Sequence, residues 1–348
     1  MNPTGPRRPA TRTNFEIAVI CALPLEADAV DALFDHHWDD DDGAAGPSYG
    51  KTAGDPNMYS TGAVGAHNVV LAHMPGMGKA CAAAVAAHCS ASFPGIKLAL
   101  VVGICGVVPF RPASGSDNTA TEMVLGDVIV SDSIVQYDLG RQLPERFDPK
   151  NTVRDALGRP AAEVRALLAK LATLRGRRML RDRMGGYMEV LRREPELVAT
   201  YPGAAQDRLF PATYRHLRDG DSCDKCACDD GALVPRARLA DSSGGGEPGQ
   251  VAVHFGPVAS GDTVMKSGKD RDAVAREAGV IAFEMEGAGV WDVFPCVVVI
   301  KGACDYADSH KTKVWQRYAA ATAAACAKAF LGQWVPSMTG TLRERIRE

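Results

Sequence analysis

The segment FEIAVICALPLE at residues 15–26 shows the pattern from which the fold class is predicted. Its first eight residues are apolar almost without a break, which is typical of a strand that is covered on both faces. The proline that follows suits the first turn of a helix, and Glu26 falls in that turn. The segment therefore predicts a buried strand that leads directly into a helix.

The same alternation of apolar runs and helical patterns continues along the chain. Five further apolar runs predict strands at residues 68–73, 97–102, 127–131, 279–283 and 296–301. Helical patterns occupy residues 25–34, 79–90, 286–293 and 315–331. Alternation of this kind predicts an α/β layer fold with a largely parallel sheet.

Composition and charge narrow the class of protein. Of the 348 residues, 46% are hydrophobic and 23% charged, with a net charge of −3, so we expect a globular protein that binds neither nucleic acid nor membranes. No apolar run approaches the roughly 20 residues that span a bilayer, and residues 1–14 lack the apolar core of a secretory signal. Most of the ten cysteines stand singly in apolar segments, which favours a reducing compartment and predicts cytoplasmic localisation.

The domain boundaries are predicted from where the alternation of strands and helices begins, is interrupted and ends. We expect one domain over residues 14–334, flanked by a disordered tail at 1–13 and a charged tail at 335–348. Residues 140–250, approximately, interrupt the alternation with mostly polar sequence and predict a long insertion. An arginine-rich helical piece lies within it, and its arginines at 175–183 suit either an anion site or, more commonly, a solvated helix face.

Carboxylates follow three of the predicted strands, and the glycine loop GICG at 103–106 follows a fourth. Ligands of open α/β sheets bind beyond the carboxyl ends of the strands. Asp305 suits a general acid if it is partly desolvated, and Glu284 with Glu286 could hold two vicinal hydroxyls of a sugar. The structural alternatives are an Asx turn for Asp305, two surface acids, and a favourable helix-dipole contact for Glu26.

Several common motifs are absent from the sequence. GICG lacks the third glycine of a dinucleotide fingerprint, and PGMGK at residues 75–79 lacks the leading glycine and the hydroxyl residue of a P-loop. The sequence holds neither a G-x-S-x-G elbow nor an H-E-x-x-H motif. Dinucleotide and nucleoside triphosphate sites, serine hydrolase chemistry and zinc protease chemistry are therefore not expected.

Seven motifs in a fixed order resemble the nucleoside phosphorylase/nucleosidase superfamily. They are ALPLE (22–26), GMGK (76–79), GICG (103–106), GDVIV (126–130), ASGD (259–262), FEMEG (283–287) and CDYAD (304–308). The pattern is most similar to methylthioadenosine/S-adenosylhomocysteine nucleosidases, in particular to fungal relatives that often form modules of larger proteins. The resemblance implies a single three-layer α/β/α domain with a central mixed, largely parallel twisted sheet.

The resemblance also implies an activity and a set of site residues. It implies hydrolysis of the N-glycosidic bond of a purine nucleoside or nucleotide of adenosine type, without a cofactor, in a homodimer. Asp305 matches the acid that protonates N7 of the purine, Glu26 the base that deprotonates the attacking water, and Glu284 an acid that helps to position this water. Glu286 matches the residue that holds the ribose hydroxyls, and Met285 lies beneath the sugar. Further substrate contacts are Met77, Ile104, Gly106, Val264 and Met265.

Three positions depart from the family pattern. Val264 stands where an aromatic residue is usual, which predicts weaker stacking on the base or stacking completed elsewhere. Ile104 and Cys304 each replace a serine, and Cys304 is adjacent to the proposed acid. The hydrogen bonds that the two serines would give to support Asp305 are therefore not expected in the family's form.

The segment after the first strand favours hydrolysis over phosphorolysis. Phosphorylases of this superfamily hold phosphate with arginines, one of them in a G-D-P-x-R segment at this point. The present chain has LPLE at 23–26 instead, and the glutamate would repel phosphate and suit activation of water. A phosphorylase with a phosphate clamp from the insertion, and a catalytically silent nucleotide-sensing module, are the alternatives.

The insertion contains a cluster of potential zinc ligands, His216, Cys223, Cys226 and Cys228. The C-x2-C spacing within it is a moderate indication of a structural zinc site, but the whole spacing matches no common zinc finger. A surface loop that happens to be rich in cysteine is the simpler interpretation.

Overall fold

The apolar runs form the centre of one mixed sheet in the computed structural model, which describes residues 7–39, 49–111, 121–150, 152, 155–240, 251–294 and 296–336. The strands are β1 (Ile17–Cys21), β2 (His36–His37), β3 (Met58–Val64), β4 (His67–His73), β5 (Leu98–Val107), β6 (Phe110–Arg111), β7 (Thr121–Glu122), β8 (Val128–Gln136), β9 (Gly140–Gln142), β10 (Phe147–Pro149), β11 (Val253–Ser260), β12 (Ala282–Glu284) and β13 (Val297–Asp305). The helices are α1 (Pro24–Asp31), α2 (Lys79–Ser92), α3 (Ala162–Leu171), α4 (Leu174–Arg192), α5 (Ala237–Ala240), α6 (Gly268–Ala278), α7 (Gly287–Trp291) and α8 (Gln316–Leu331).

Nine of the described strands form the main sheet in the order β12-β11-β8-β13-β5-β1-β4-β3-β2. Strand β12 also pairs with β5, so the first five strands of this order close on themselves. β1, β5 and β13 are parallel neighbours, and their carboxyl ends therefore meet at one edge of the sheet. Antiparallel pairs of this sheet are β2–β3, β3–β4, β8–β13 and β5–β12, which makes it mixed, as expected.

Helices cover the sheet in two groups. α8 packs against β5, β8 and β13, and α1 packs on α8. α2 and α7 pack on each other and contact β1, β5 and β13. This arrangement confirms the three-layer α/β/α class, and none of the helices that the structure describes is long and apolar enough to cross a bilayer.

The predicted elements are present, with corrected bounds. The strands predicted at 97–102, 127–131 and 296–301 run on to residues 107, 136 and 305, because their partners continue to pair with them. The strand predicted at 279–283 begins only at Ala282, since Gly279 ends the preceding helix in a left-handed conformation with φ +70°. β3, β11 and α6 were not predicted.

The insertion adds a helical layer to the domain. α4 packs against α8, so that this alanine-rich helix is buried between the sheet and the insertion. The arginines of α4 at residues 175, 177, 178 and 183 are exposed, as a solvated helix face requires. The predicted tails fall mostly outside the described residues, and the limits of the domain stay a prediction.

A buried ionic network fastens the far end of the insertion to the sheet. Asp127, at the start of β8, accepts hydrogen bonds from Arg238 at 3.0 Å, from His254 at 2.9 Å and from the backbone N–H groups of Val124 and Ala252. Burial alone would raise the pKa of Asp127, but His254 and Arg238 lower it to about 2. The aspartate of the GDVIV motif is thus a structural anchor.

Candidate active site

The pairing of the strands places the predicted motifs next to one another at one edge of the sheet. Gly103 of β5 is opposite Lys301 of β13, and Gly106 is opposite Asp305. On its other side Gly106 pairs with Phe283 of β12, which directly precedes Glu284. The carboxyl ends of β5, β12 and β13 therefore converge.

One cavity of about 320 Å³ lies at this convergence. Its volume falls within the range of about 300–1,000 Å³ typical of small-ligand sites. All ten residues that the sequence singled out line it, namely Glu26, Met77, Ile104, Gly106, Val264, Met265, Glu284, Met285, Glu286 and Asp305. The structure thus brings the whole predicted set into one site.

Glu26 is fixed in the wall of the cavity by backbone amides. Its Oε2 accepts hydrogen bonds from Ala22 at 3.0 Å and Leu23 at 2.9 Å, and its Oε1 accepts one from Ile104 at 2.8 Å. A Cβ atom on Gly103 would lie 2.1 Å from Oε1, so only glycine leaves room for the carboxylate. Burial raises the pKa of Glu26, and this makes the carboxylate a stronger base.

Glu284 and Glu286 differ in what they contact. Both oxygens of Glu284 accept hydrogen bonds from the N–H groups of Glu286 and Gly287 at 2.9–3.0 Å, which fixes the turn into α7. Glu286 is buried, and its Oε1 lies 3.4 Å from the N–H of Gly78. Glu284 thus holds the turn that presents Glu286 to the cavity.

Lys301 is a functional candidate that the sequence reasoning missed. Its Nζ donates to Glu286 Oε2 at 2.9 Å and lies 3.9 Å from Glu284 Oε2. Burial alone would lower its pKa, but the three surrounding glutamates raise it, so the ammonium form is maintained. The sequence feature that indicates this lysine is its position as a single charged residue in an apolar strand. A fully buried lysine requires acidic partners, so such a position predicts nearby carboxylates.

Asp305 has more hydrogen-bond donors than the sequence predicted. Its Oδ1 accepts from the N–H of Ala307 at 2.8 Å and from Lys311 Nζ at 2.7 Å. Its Oδ2 accepts from the thiol of Cys304 at 3.3 Å. Cys304 therefore still donates to the acid in place of the serine, and the unpredicted Lys311 contributes an ion pair.

The rim of the cavity is partly apolar. Met77 is 54% exposed and Val264 45% exposed, although both line the cavity. Phe283 also lines it and is buried, with its ring centre 5.6 Å from that of Tyr137. Phe283 thus adds an aromatic ring to the lining of the cavity near Val264.

Two of the three lysines that line the cavity have acidic partners close by. Of the described residues that line it, none is an arginine, and the lysines are Lys266, Lys311 and Lys313. Lys266 is paired with Asp219 at 2.7 Å and Lys311 with Asp305. These contacts do not resemble an arginine clamp for phosphate.

The cysteine cluster of the insertion is only partly assembled as expected. His216, Cys223 and Cys228 present ligand atoms within 4.8 Å of one another. Cys226 is not part of this group, and its Sγ lies 3.2 Å from Nε2 of His216, whereas Cys228 lies 3.3 Å from Nδ1. The predicted set of four is therefore corrected to three.

A mixed sheet closed by β12, with carboxylates gathered in a cavity at the strand ends, defines an α/β protein with an acidic site at one edge of the sheet. The Phosphorylase superfamily model matches residues 16–188, about half of the chain. The chain belongs to this superfamily.

Two sequence relatives are informative. The chain is 32% identical over 333 residues to a "Nucleotide-binding leucine-rich repeat (NLR)-like protein" of Hyaloscypha variabilis, a match that covers 93% of the chain. It spans only 30% of the length of that relative. A 5′-methylthioadenosine/S-adenosylhomocysteine nucleosidase of Mycobacterium bovis is 24% identical over 280 residues, which cover 79% of the chain and 84% of the nucleosidase.

Solved structures share the fold. Futalosine hydrolase of Helicobacter pylori superposes with a TM-score of 0.54 at 15% identity, over 93% of the chain and 100% of the hydrolase. A mutant of the H. pylori 5′-methylthioadenosine nucleosidase, with 5′-methylthioadenosine in its active site, also gives 0.54 at 15% identity, over 92% of the chain and 99% of the nucleosidase. At this identity the likeness supports the fold alone.

Proposed function

We propose that the protein is a purine nucleoside N-ribohydrolase that cleaves the N-glycosidic bond of an adenosine-type substrate to the free base and ribose. One observation carries the proposal: a buried glutamate held by three backbone amides, Glu286 and an aspartate at the end of β13 all line the same cavity. This arrangement supplies a base, a sugar ligand and an acid. The relatives named as nucleosidases support the same reaction class.

The reaction uses these groups in sequence. Protonated Asp305 gives its proton to N7 of the purine, the C1′–N9 bond breaks, and its electron pair enters the base. The ribose then carries oxocarbenium character, which the surrounding carboxylates stabilise. Glu26 takes a proton from water, and the oxygen of that water forms the new bond to C1′. The Lys311 ammonium stabilises the Asp305 carboxylate that remains.

Water rather than phosphate is the proposed nucleophile. Both oxygens of Glu26 are fixed at the cavity, and a second anion beside this carboxylate would be repelled. Lys301, which could offset that repulsion, is already engaged by glutamates. The charges on Glu26 and around Lys301 therefore support hydrolysis over phosphorolysis.

The test is an incubation of the purified protein with adenosine, inosine, AMP and methylthioadenosine, with and without phosphate. We expect free base in the absence of phosphate, and the preferred compound identifies the 5′ substituent. Formation of ribose 1-phosphate only when phosphate is present would instead establish a phosphorylase. No product from any of these purines would overturn the proposal.

A nucleotide-sensing module is the second candidate. The observation that favours it is the 32% identity to an NLR-like protein of which the chain spans only 30%. A sensor would bind one of the same compounds in calorimetry and release no base. The joint presence of Glu26, Glu286 and Asp305 in one cavity favours the hydrolase.

A further inference from the structure

The insertion holds a group of soft ligands that the hydrolytic reaction does not use. Cys223, Cys228 and one ring nitrogen of His216 lie within 4.8 Å of one another, and Cys228 Sγ is 3.3 Å from His216 Nδ1. Sulfur and nitrogen ligands of a tetrahedral zinc ion lie about 3.6 Å apart, from bond lengths of about 2.3 and 2.0–2.1 Å. We propose that these three residues, together with His310, bind a structural Zn²⁺.

The hydrogen bond on the far side of His216 prepares the ring for a metal. Its Nε2 donates to the carbonyl oxygen of Asp221 at 3.0 Å, so the lone pair is on Nδ1, the nitrogen that faces Cys228. Zinc-binding histidines typically donate their second nitrogen in this way. Cys226 lies on the Nε2 side and is excluded from the ligand set.

His310 is a buried histidine whose ring makes no hydrogen bond to any described residue. The side chain is only 2% exposed, and Asp308 Oδ1 lies 3.7 Å from its Nδ1, too far for a hydrogen bond. The ring centre is 5.2 Å from that of His216, at an angle of 76°. Two imidazoles on one tetrahedral zinc ion have centres about 5 Å apart. Both histidines and Cys223 line a cavity of about 230 Å³. The nitrogens of His310 lie outside the group of ligand atoms that are within 4.8 Å of one another, so its ring must shift toward this group to bind as the fourth ligand.

The ion would join two loops that border the active site. His310 belongs to the segment that carries Asp305 and Lys311, whereas the other three ligands belong to the insertion. The loops already touch, since the N–H of His216 donates to Ser309 Oγ at 2.9 Å. Residues 219–220, between the first two insertion ligands, line the catalytic cavity. A zinc ion would thus fix one wall of that cavity.

Metal analysis of the full chain, purified without chelator or added metal, tests the site directly. We expect one zinc per chain, and none after Cys223→Ser or Cys228→Ser. Cys226→Ser is the matched control and should retain the metal. Cobalt substitution should give the intense visible bands of a tetrahedral site with thiolate ligands, and His310→Gln should weaken metal affinity by at least about 10-fold.

Chelation of the wild-type protein provides a readout that does not depend on the folding of a variant. Removal of zinc should lower the melting temperature, and its return should restore it. Absence of zinc, with Cys223 and Cys228 found as a disulfide or as free thiols, would overturn the site. Loss of metal in Cys226→Ser, or unchanged affinity in His310→Gln, would overturn this set of ligands. None of these measurements uses catalysis, so they stand apart from the proposed hydrolase.

Discussion

Asp305 is the residue on which the departure of the base depends. Asp305→Asn keeps the size of the side chain and one oxygen for Ala307 and Lys311, but it cannot supply the proton. We expect base release to fall by at least about 10²–10⁴-fold, the usual contribution of a general acid, while ligand binding is retained. Chromatographic assay of free base and calorimetric binding measure the two effects.

The control for this variant is Asp292→Asn, an exposed aspartate after α7, which should leave the activity unchanged. Full activity in Asp305→Asn would remove the aspartate from the reaction. Loss of binding together with activity would indicate that the variant disrupts the loop rather than the proton transfer.

The pH dependence of the reaction should report Glu26. Burial raises its pKa above the ordinary glutamate value of 4.5, and only the ionised form can take a proton from water. Activity should therefore fall as the pH drops through this raised pKa, so that the acid limb of kcat/KM lies above pH 4.5. A rate profile across acidic pH measures this limb. Glu26→Gln should abolish turnover, and a limb at or below the ordinary value would contradict the assignment.

Among the residues of the site, the carboxylates were easier to predict from the sequence than the lysines that pair with them. Glu26, Glu286 and Asp305 follow or end strands, and their position in the site depends only on the sheet. Lys311 reaches Asp305 because the loop after β13 turns back on itself, with Ala307 at φ +50°. No spacing rule in a single sequence predicts that path.

At the scale of elements, β11 was missed because of its own sequence. Gly256 and Pro257 stand in the middle of the strand, and both weaken a strand assignment. The structure accommodates them at an irregularity, where the register against β8 shifts between these residues and skips Asp132. α6 was predictable, since Ser267 caps its start and Gly279 its end.

The contribution of Asp127 to the attachment of the insertion can be tested by substitution. Asp127→Asn removes the charge that Arg238 and His254 neutralise, and breaking a buried ion pair typically costs about 3–5 kcal/mol. The native pKa of about 2 lies below the ordinary 3.8, so the stabilisation is present above about pH 4 and is lost as the pH falls toward 2. Denaturant unfolding across this range measures both effects.

Asp132→Asn is the matched control, because this aspartate is exposed on the same strand. It should leave the free energy of unfolding within about 0.5 kcal/mol of the wild type. Equal stability of the two variants at pH 7 would show that the ionic network does not hold the insertion in place.

For the whole molecule, the central sheet could be predicted and the position of the insertion could not. The sequence of residues 315–331 predicted a helix. Because this helix is rich in alanine, its sequence did not indicate which element packs on its outer side. In the structure α4 covers this helix. It packs against α8 through its apolar side, while its arginines face the solvent. Contacts of this kind join residues more than a hundred positions apart and depend on how the insertion folds back.

For the oligomeric state, we predict a homodimer in which the partner helps to close the catalytic cavity. Met77, Val264 and Val314 are 54%, 45% and 49% exposed around or beside its mouth, an apolar rim that a second subunit would cover. Light scattering should give twice the monomer mass of 36.9 kDa. Dilution below the dimer dissociation constant should raise KM while circular dichroism stays unchanged. A monomer with full activity would show that one chain forms the complete site.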